Sequence, residues 1–303
     1  MDPVVILFGL GVGFLVGMTG MGGGSLMTPL LILFVGTAPV TAVGSDIFYA
    51  AVTKTVGGWR HLRLGTVDKL LAFWLALGSV PAAITGVWFI EFLHRHYGKS
   101  LDDVVLTMLA IALILVGTVV LVRSLFIGRM VSSEREEFEL VRRHKVAAVV
   151  IGATTGFVIG LTSAGSGTLI AVFLIVLYRM TPKRVVGTDI FHAAILLWAA
   201  GIAHVIGGNV DFGLVGNILV GSIPGIWIGS HLTVRMPSGL LRVALGIVLI
   251  ASSLALFNKA GVELPLAIVI AFPSTFVVAS VAQWLVRRAR SVAPNSSPSG
   301  TAP

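Results

Sequence analysis

The chain has 303 residues, of which 56% are hydrophobic and only 11% charged, with a mean hydropathy of +1.00. That composition excludes a soluble globular domain and marks a polytopic membrane protein. The lack of cysteine excludes disulfides and thiolate metal sites. The net charge of +8 does not point to nucleic acid, because the cations sit in short loops between apolar segments, where they set topology.

The first apolar run extends from about Val4 to Val35 and is interrupted by Gly20-Met21-Gly22-Gly23-Gly24-Ser25. It is too long for one transmembrane helix, which needs about 20 residues. Each glycine weakens a helix by about 1 kcal/mol, so the run predicts helix, break, helix. No basic n-region precedes it, so it is not read as a signal peptide. Further spans are predicted at 44–60, 69–93 and 103–127. A polar insert, Gly128 to Lys145, has a capping-box spacing at Ser133 and Glu136 and ends in Arg142-Arg143-His144-Lys145. This order of charges suits a helix dipole and predicts a short cytoplasmic helix over 128–145. A second long run, 146–178, is broken at Ser163-Ala164-Gly165-Ser166-Gly167-Thr168. Spans follow at 187–206, 213–233, 240–257 and 264–286, and the Ser/Pro/Ala/Gly tail, 291–303, is expected to be disordered.

The two halves, 1–127 and 146–290, are repeats at a fixed offset of 143 residues. Gly13, Phe14, Gly17 and Thr19 meet Gly156, Phe157, Gly160 and Thr162, and Gly22 and Gly24 meet Gly165 and Gly167. Gly44-Ser45-Asp46-Ile47-Phe48 meets Gly187-Thr188-Asp189-Ile190-Phe191, and Pro39, His61, Asp68 and Pro81 meet Pro182, His204, Asp211 and Pro224. Roughly a third of positions 9–86 are identical at this register, and apolar bias does not produce coincident Asp, His and Pro. If each broken run enters and leaves on one side, all but four of the 21 Lys and Arg residues are cytoplasmic; if 146–178 crosses once, that bias vanishes. The positive-inside rule therefore selects a hairpin and a cytoplasmic C-terminus. The predicted fold is all-α and polytopic, with two inverted-topology repeats, each a broken-helix hairpin plus three transmembrane helices.

Non-helical backbone at membrane depth persists only where it is buried in protein or lines a wet cavity. Gly22, Gly23, Gly24 and Ser25, with Gly165, Ser166, Gly167 and Thr168, are therefore the candidate substrate site. Each break precedes a half-helix whose N-terminal N–H groups attract anions. Lys54, the only Lys or Arg within a span, is a further candidate for holding an anionic substrate, or for pairing with a carboxylate. Its repeat mate is Leu197. Asp46 and Asp189, following Ser45 and Thr188, are read either as helix N-caps or as protonatable groups or cation ligands that couple transport. His192 lies one turn past Asp189 and is placed to bond to it or simply to pack. His61, His204, Asp68 and Asp211 are read as loop-shaping residues. No catalytic, metal-binding or cofactor motif is found in usable context, and neither metal nor cofactor is expected.

The doubled glycine-rich break, the Gly44 and Gly187 motifs, Gly58-Trp59-Arg60-His61 leading to Gly65-Thr66-Val67-Asp68, and Gly78-Ser79-Val80-Pro81 resemble the TauE/SafE family, also called the 4-toluene sulfonate uptake permease family. The resemblance covers about 1–290 and looks like a subgroup with Asp46, Asp189 and Lys54. It implies a multi-pass permease of a prokaryotic-type inner membrane, carrying sulfite, sulfonates or related organic anions. The expected partners are that anion, lipid and a coupling proton or cation, and a homo-oligomer stays open. The competing readings are a carboxylate transporter and an intramembrane enzyme or partner subunit.

Overall fold

Helices form where the apolar runs meet a start signal, and the helices that start at Pro39 and Lys69 have counterparts starting 143 residues later, at Pro182 and Phe212. The computed structural model describes residues 2–19, 24–97, 101–122, 140–165, 167–233 and 238–262. In the first half these residues form α1 (Pro3–Thr19), α2 (Gly24–Leu30, continued by a π-turn over Leu31–Val35), α3 (Pro39–Arg63), α4 (Lys69–Tyr97) and α5 (Leu101–Val122). In the second they form α6 (Arg142–Thr162), α7 (Leu169–Val176), α8 (Pro182–Ile206), α9 (Phe212–Thr233) and α10 (Ser238–Lys259). The described residues belong to one unit, Met1–Leu264. The predicted span at 264–286, the tail and most of the insert helix lie outside them. Arg142–Lys145 do not close that insert helix; they form the first turn of α6.

α3 and α8 begin at Pro39 and Pro182, where the fixed φ of proline suits the first helical position and its missing N–H costs nothing. α4 and α9 begin behind Asp68 and Asp211. Asp68 Oδ1 accepts the Leu71 N–H at 2.9 Å and Asp211 Oδ1 the Leu214 N–H at 2.9 Å, so these two acids are helix caps and not merely loop residues.

Helix pairing crosses between the halves. α1 packs along α9, α6 along α4, α3 along α8 and α5 along α10. The first two seams are built on glycines four residues apart, the spacing that lets membrane helices approach backbone to backbone. A Cβ placed on Gly13 would stand 2.4 Å from Ser222 O, and one on Gly156 would stand 2.4 Å from Ser79 O. From the facing helices, Gly221 would meet Ile6 O at 2.0 Å and Gly78 would meet Val149 O at 2.0 Å. No larger residue fits at these positions without separating the helices.

Among the described residues, five helices are long and apolar enough to cross a membrane: Lys69–His96, Leu101–Val122, Arg142–Thr162, Pro182–Ile206 and Phe212–His231. α3 is as long as α8 but not apolar enough to join them, since it carries Asp46 and Lys54. The exterior supports the same conclusion: Leu7, Phe73, Trp88, Ile223 and Trp227 are exposed, while Asp46, Lys54, Asp189 and His192 are buried. Apolar groups outside and charges inside describe a multi-pass integral membrane protein.

Candidate functional site

The buried polar groups gather where the α3/α8 pair meets the two breaks. Because α3 and α8 start at Pro39 and Pro182, Asp46 and Asp189 lie two turns inside their helices and cap neither; no side chain caps either helix. That corrects the capping alternative. The hydroxyls beside them act across the halves instead. Ser45 Oγ accepts the Asp211 N–H at 3.0 Å and Thr188 Oγ1 accepts the Asp68 N–H at 2.9 Å, one bond at each end of the pair.

Asp46 is fully buried, and its carboxylate joins elements far apart in sequence. Oδ2 accepts one hydrogen bond from Thr28 Oγ1 in α2, at 2.5 Å, and another from Ser163 Oγ at the second break, at 2.9 Å. Oδ1 is buried and has no hydrogen-bond partner. Ser163 ends α6 in the left-handed region, with φ 58°, an uncommon conformation for a residue with a side chain, and its bond to Asp46 helps to hold it there.

The second break continues through Gly165 at φ 95° and Gly167 at φ 123°, a path that glycine takes without steric cost. Its Gly165 N–H donates to Ser25 Oγ at 3.0 Å. Ser25 therefore reaches the other half's break. The amides of Thr168 and Leu169 are already bonded to Gly165 O, so N–H groups available to a ligand must come from residues ahead of them. Gly22, Gly23 and Ser166 lie outside the described residues, and Gly24 opens α2.

Lys54 is 7% exposed and lies within electrostatic reach of both Asp46 and Asp189. His192 does not bond to Asp189; its Nε2 pairs with Ser79 Oγ of α4 at 2.8 Å. His204 is also buried and helical, in the last turn of α8, with Nε2 on Gly160 O at 3.2 Å. His61 lies in the last turn of α3, its Nδ1 2.9 Å from Thr66 Oγ1. Neither histidine lies in a loop. Among the described residues no three His, Asp or Glu side chains converge as a metal site would require. A surface cleft lined by Trp88, Glu91, Arg95 and Ile206 shares no residue with this cluster.

Thr28, Ser163 and Ser79 are polar partners that the pattern of the sequence did not single out. Ser163 opens the second break and Thr28 lies within about a turn of the first, which was the available signal; Ser79 belongs to a repeated Gly-Ser pair whose partner no spacing specifies. Chemically, the arrangement offers non-helical backbone at the second break, clustered hydroxyls, one buried cation and two buried carboxylates, a set suited to holding a small polar solute or ion.

Comparison with known proteins agrees. The family described as "Sulfite exporter TauE/SafE" matches residues 5–256. The chain is 39% identical over 259 residues to the probable membrane transporter protein YjnA of Bacillus subtilis, covering 84% of this chain and 100% of that protein. It is 24% identical over 242 residues to the probable membrane transporter protein YdhB of Bacillus subtilis, covering 80% of this chain and 94% of that one. It is also 24% identical over 228 residues to the probable membrane transporter protein MJ0441 of Methanocaldococcus jannaschii, covering 73% and 78%. No solved structure matches.

Proposed function

Because this chain belongs to the sulfite exporter TauE/SafE family of membrane transporters, we propose that it carries a small anion, sulfite or a sulfonate, by alternating access between its two halves. The observation that carries the reading is the meeting of the breaks: the Gly165 N–H reaches Ser25, and Ser163 reaches Asp46. Two broken helices from opposite halves thus share one buried polar locus, the usual construction of a secondary-transporter site. Gly22 to Ser25 and Gly165 to Thr168 form the anion site, with the hydroxyls of Ser25 and Thr168 and backbone amides other than those of Gly165 and Thr168, which are already bonded, as donors, and Lys54 supplies the countercharge. Ser45, Asp46, Thr188, Asp189 and His192 form the coupling layer beneath it.

The reciprocal pairing of α1 with α9 and of α6 with α4 supports reading 1–127 and 146–290 as inverted repeats. The loops rich in Lys and Arg then face the cytoplasm, the membrane is the inner one and the C-terminus is cytoplasmic. Rocking one pair of seams against the other opens the shared locus to each side in turn.

The test is counterflow in proteoliposomes containing the purified chain, with sulfite, sulfoacetate, taurine, acetate and succinate as probes, with and without a pH gradient. Exchange of a sulfur oxyanion should exceed that of the carboxylates by roughly tenfold, a difference of about 1.4 kcal/mol in transition-state or binding free energy. Exchange of carboxylates alone would replace the proposed substrate class, and exchange of none of the probes would remove the reading.

A further inference from the structure

The cleft between α4 and α8 lies apart from the buried cluster and has a makeup of its own. It holds about 280 Å³ and runs along the last three turns of α4. Its wall is apolar and open to the surroundings: Trp88 is 65% exposed and Ile206 81%, beside Val87 and Phe92. Its lining contains one acid, Glu91, and one base, Arg95. Glu91 is fixed from two sides. Its Oε1 accepts the Arg95 Nε–H at 2.9 Å, and its Oε2 accepts an Asn209 Nδ2–H at 3.0 Å from the turn behind α8. Gly207 leaves room for the second bond, since a Cβ there would stand 2.9 Å from Asn209 Nδ2 and 3.3 Å from Glu91 Oε2. Each carboxylate oxygen keeps a further lone pair. Among the described residues Arg95 is bonded only through Nε, so its two terminal amino groups keep their donors.

Depth and charge together define what fits. The membrane-crossing stretch of α4, Lys69–His96, has 28 residues, about 42 Å at 1.5 Å each, against about 30 Å for the hydrocarbon core. With the surplus shared between its ends, Glu91 falls at the boundary between hydrocarbon and headgroups, and Val87 lies among acyl chains. Arg95 leans back one turn onto Glu91, so the two charges share that depth. An anionic headgroup gains little net attraction from one acid and one base. A choline headgroup carries both charges but has no N–H for the lone pairs of Glu91. A phosphoethanolamine supplies both halves: phosphate oxygens for the terminal amino groups of Arg95, a pairing that guanidinium geometry favours, and an ammonium whose donors match the Glu91 carboxylate. The fold does not impose this pair. The positions 143 away from Glu91 and Arg95 are Val234 and Ser238, and those 143 away from Ala203 and Ile206 are Arg60 and Arg63, so the matching positions supply bases without an acid.

We propose that the α4/α8 cleft is a binding site for a phosphoethanolamine lipid: Glu91 takes the ammonium, Arg95 the phosphate, and Val87, Trp88 and Ile206 the start of one acyl chain. The site goes beyond the transport reading and does not depend on it. Its place in the fold gives the lipid a mechanical effect. Asn209, bonded to Glu91, lies in the turn between α8 and α9, and Gly44 of α3 lies against its carbonyl, with a virtual Cβ 2.4 Å from that oxygen. A lipid seated on Glu91 therefore braces the turn where α3, α4 and α8 meet.

The experiment is native mass spectrometry of the delipidated full-length protein in detergent, offered equal amounts of phosphatidylethanolamine, phosphatidylcholine and phosphatidylglycerol with the same dioleoyl chains. The ethanolamine lipid should be retained about fivefold over the choline lipid, the worth of one solvent-accessible hydrogen bond, and the glycerol lipid no better than choline. Glu91→Gln should bring ethanolamine retention down to the choline level. Arg95→Gln should lower the retention of both, since both carry the phosphate. Trp88→Ala, at an exposed position, should lower the retention of all three and leave their ratio unchanged. Melting in detergent establishes that each variant is folded. Equal retention of ethanolamine and choline lipids by the wild type overturns the proposal, as does an ethanolamine preference that survives Glu91→Gln or full ethanolamine retention in Arg95→Gln. Retention of the glycerol lipid above the ethanolamine lipid would make the cleft an anionic-lipid surface and overturn it equally.

Discussion

The two glycine seams and the α3/α8 centre have had opposite histories. At the seams the halves remain interchangeable: Gly13 lies against Ser222 and Gly156 against Ser79, each at the same 2.4 Å from a virtual Cβ to carbonyl oxygen. At the centre the bonds that position the helices are likewise matched, Ser45 with Asp211 and Thr188 with Asp68. The side chains that bear charge or donate to it are not. Lys54 faces Leu197 across the repeat, His192 faces Tyr49, and Thr28 faces Ala171. Backbone contact tolerates no drift, because any side chain at a seam glycine collides with main chain. A buried polar position tolerates drift whenever its partner's charge is met in another way. Symmetry therefore describes the scaffold, and the departures from symmetry named here collect among the buried polar groups.

The sharpest way to break this comparison is at the seams. Gly13→Leu and Gly156→Leu should each cost more than about 3 kcal/mol, at or beyond the upper end of ordinary overpacking, because main chain and not a flexible side chain stands in the way. Both should abolish a monodisperse, cooperatively melting protein in detergent. A large effect in one variant and a mild one in the other would show that the seams are not equivalent.

At the centre the expectation reverses, and equivalent positions should respond unequally. Lys54→Met should weaken sulfite binding by roughly tenfold, about 1.4 kcal/mol. Leu197→Met is a volume-conserving change and should stay within about 1.5 kcal/mol in stability, with affinity unchanged. Scintillation-proximity binding and thermal melting read the two quantities. Unchanged affinity in the Lys54 variant would remove that residue from the site.

The smallest effects should be equal again. Ser45→Ala and Thr188→Ala each remove one hydroxyl acceptor from a helix-entry N–H and should lower stability by about 1 kcal/mol. A difference between them larger than that loss would show that the two ends of the α3/α8 pair are built differently.

Much of this division was legible in the sequence. The 143-residue offset predicted that Pro39 and Pro182 would do the same job, and α3 and α8 begin there and end at Arg63 and Ile206, again at that offset. The breaks announced themselves by glycine content. The seams could have been read from Gly9, Gly13 and Gly17, or from Gly221, Gly225 and Gly229, since four-residue spacing is a packing signal. The misassigned caps had a local cause: Gly-Ser-Asp and Gly-Thr-Asp look like helix starts, but the prolines seven residues upstream of each Asp are better ones. What could not be read were partners chosen in three dimensions. Ser163 reaches Asp46 across 117 positions and Ser79 reaches His192 across 113, and no periodicity along the chain encodes either choice.

The exchange of helix partners between the halves has a consequence for biosynthesis. α1 pairs with α9, and nearly the whole of the intervening chain must be made before that partner exists. At about 5–20 residues per second, α1 waits in the bilayer for roughly ten seconds to most of a minute with its glycine face uncovered. Neither half can complete its own packing, so the ribosome delivers an unfinished object until α9 emerges. A chain stalled before α9 should therefore be recognised as incomplete by quality-control proteases even though several of its spans are already made.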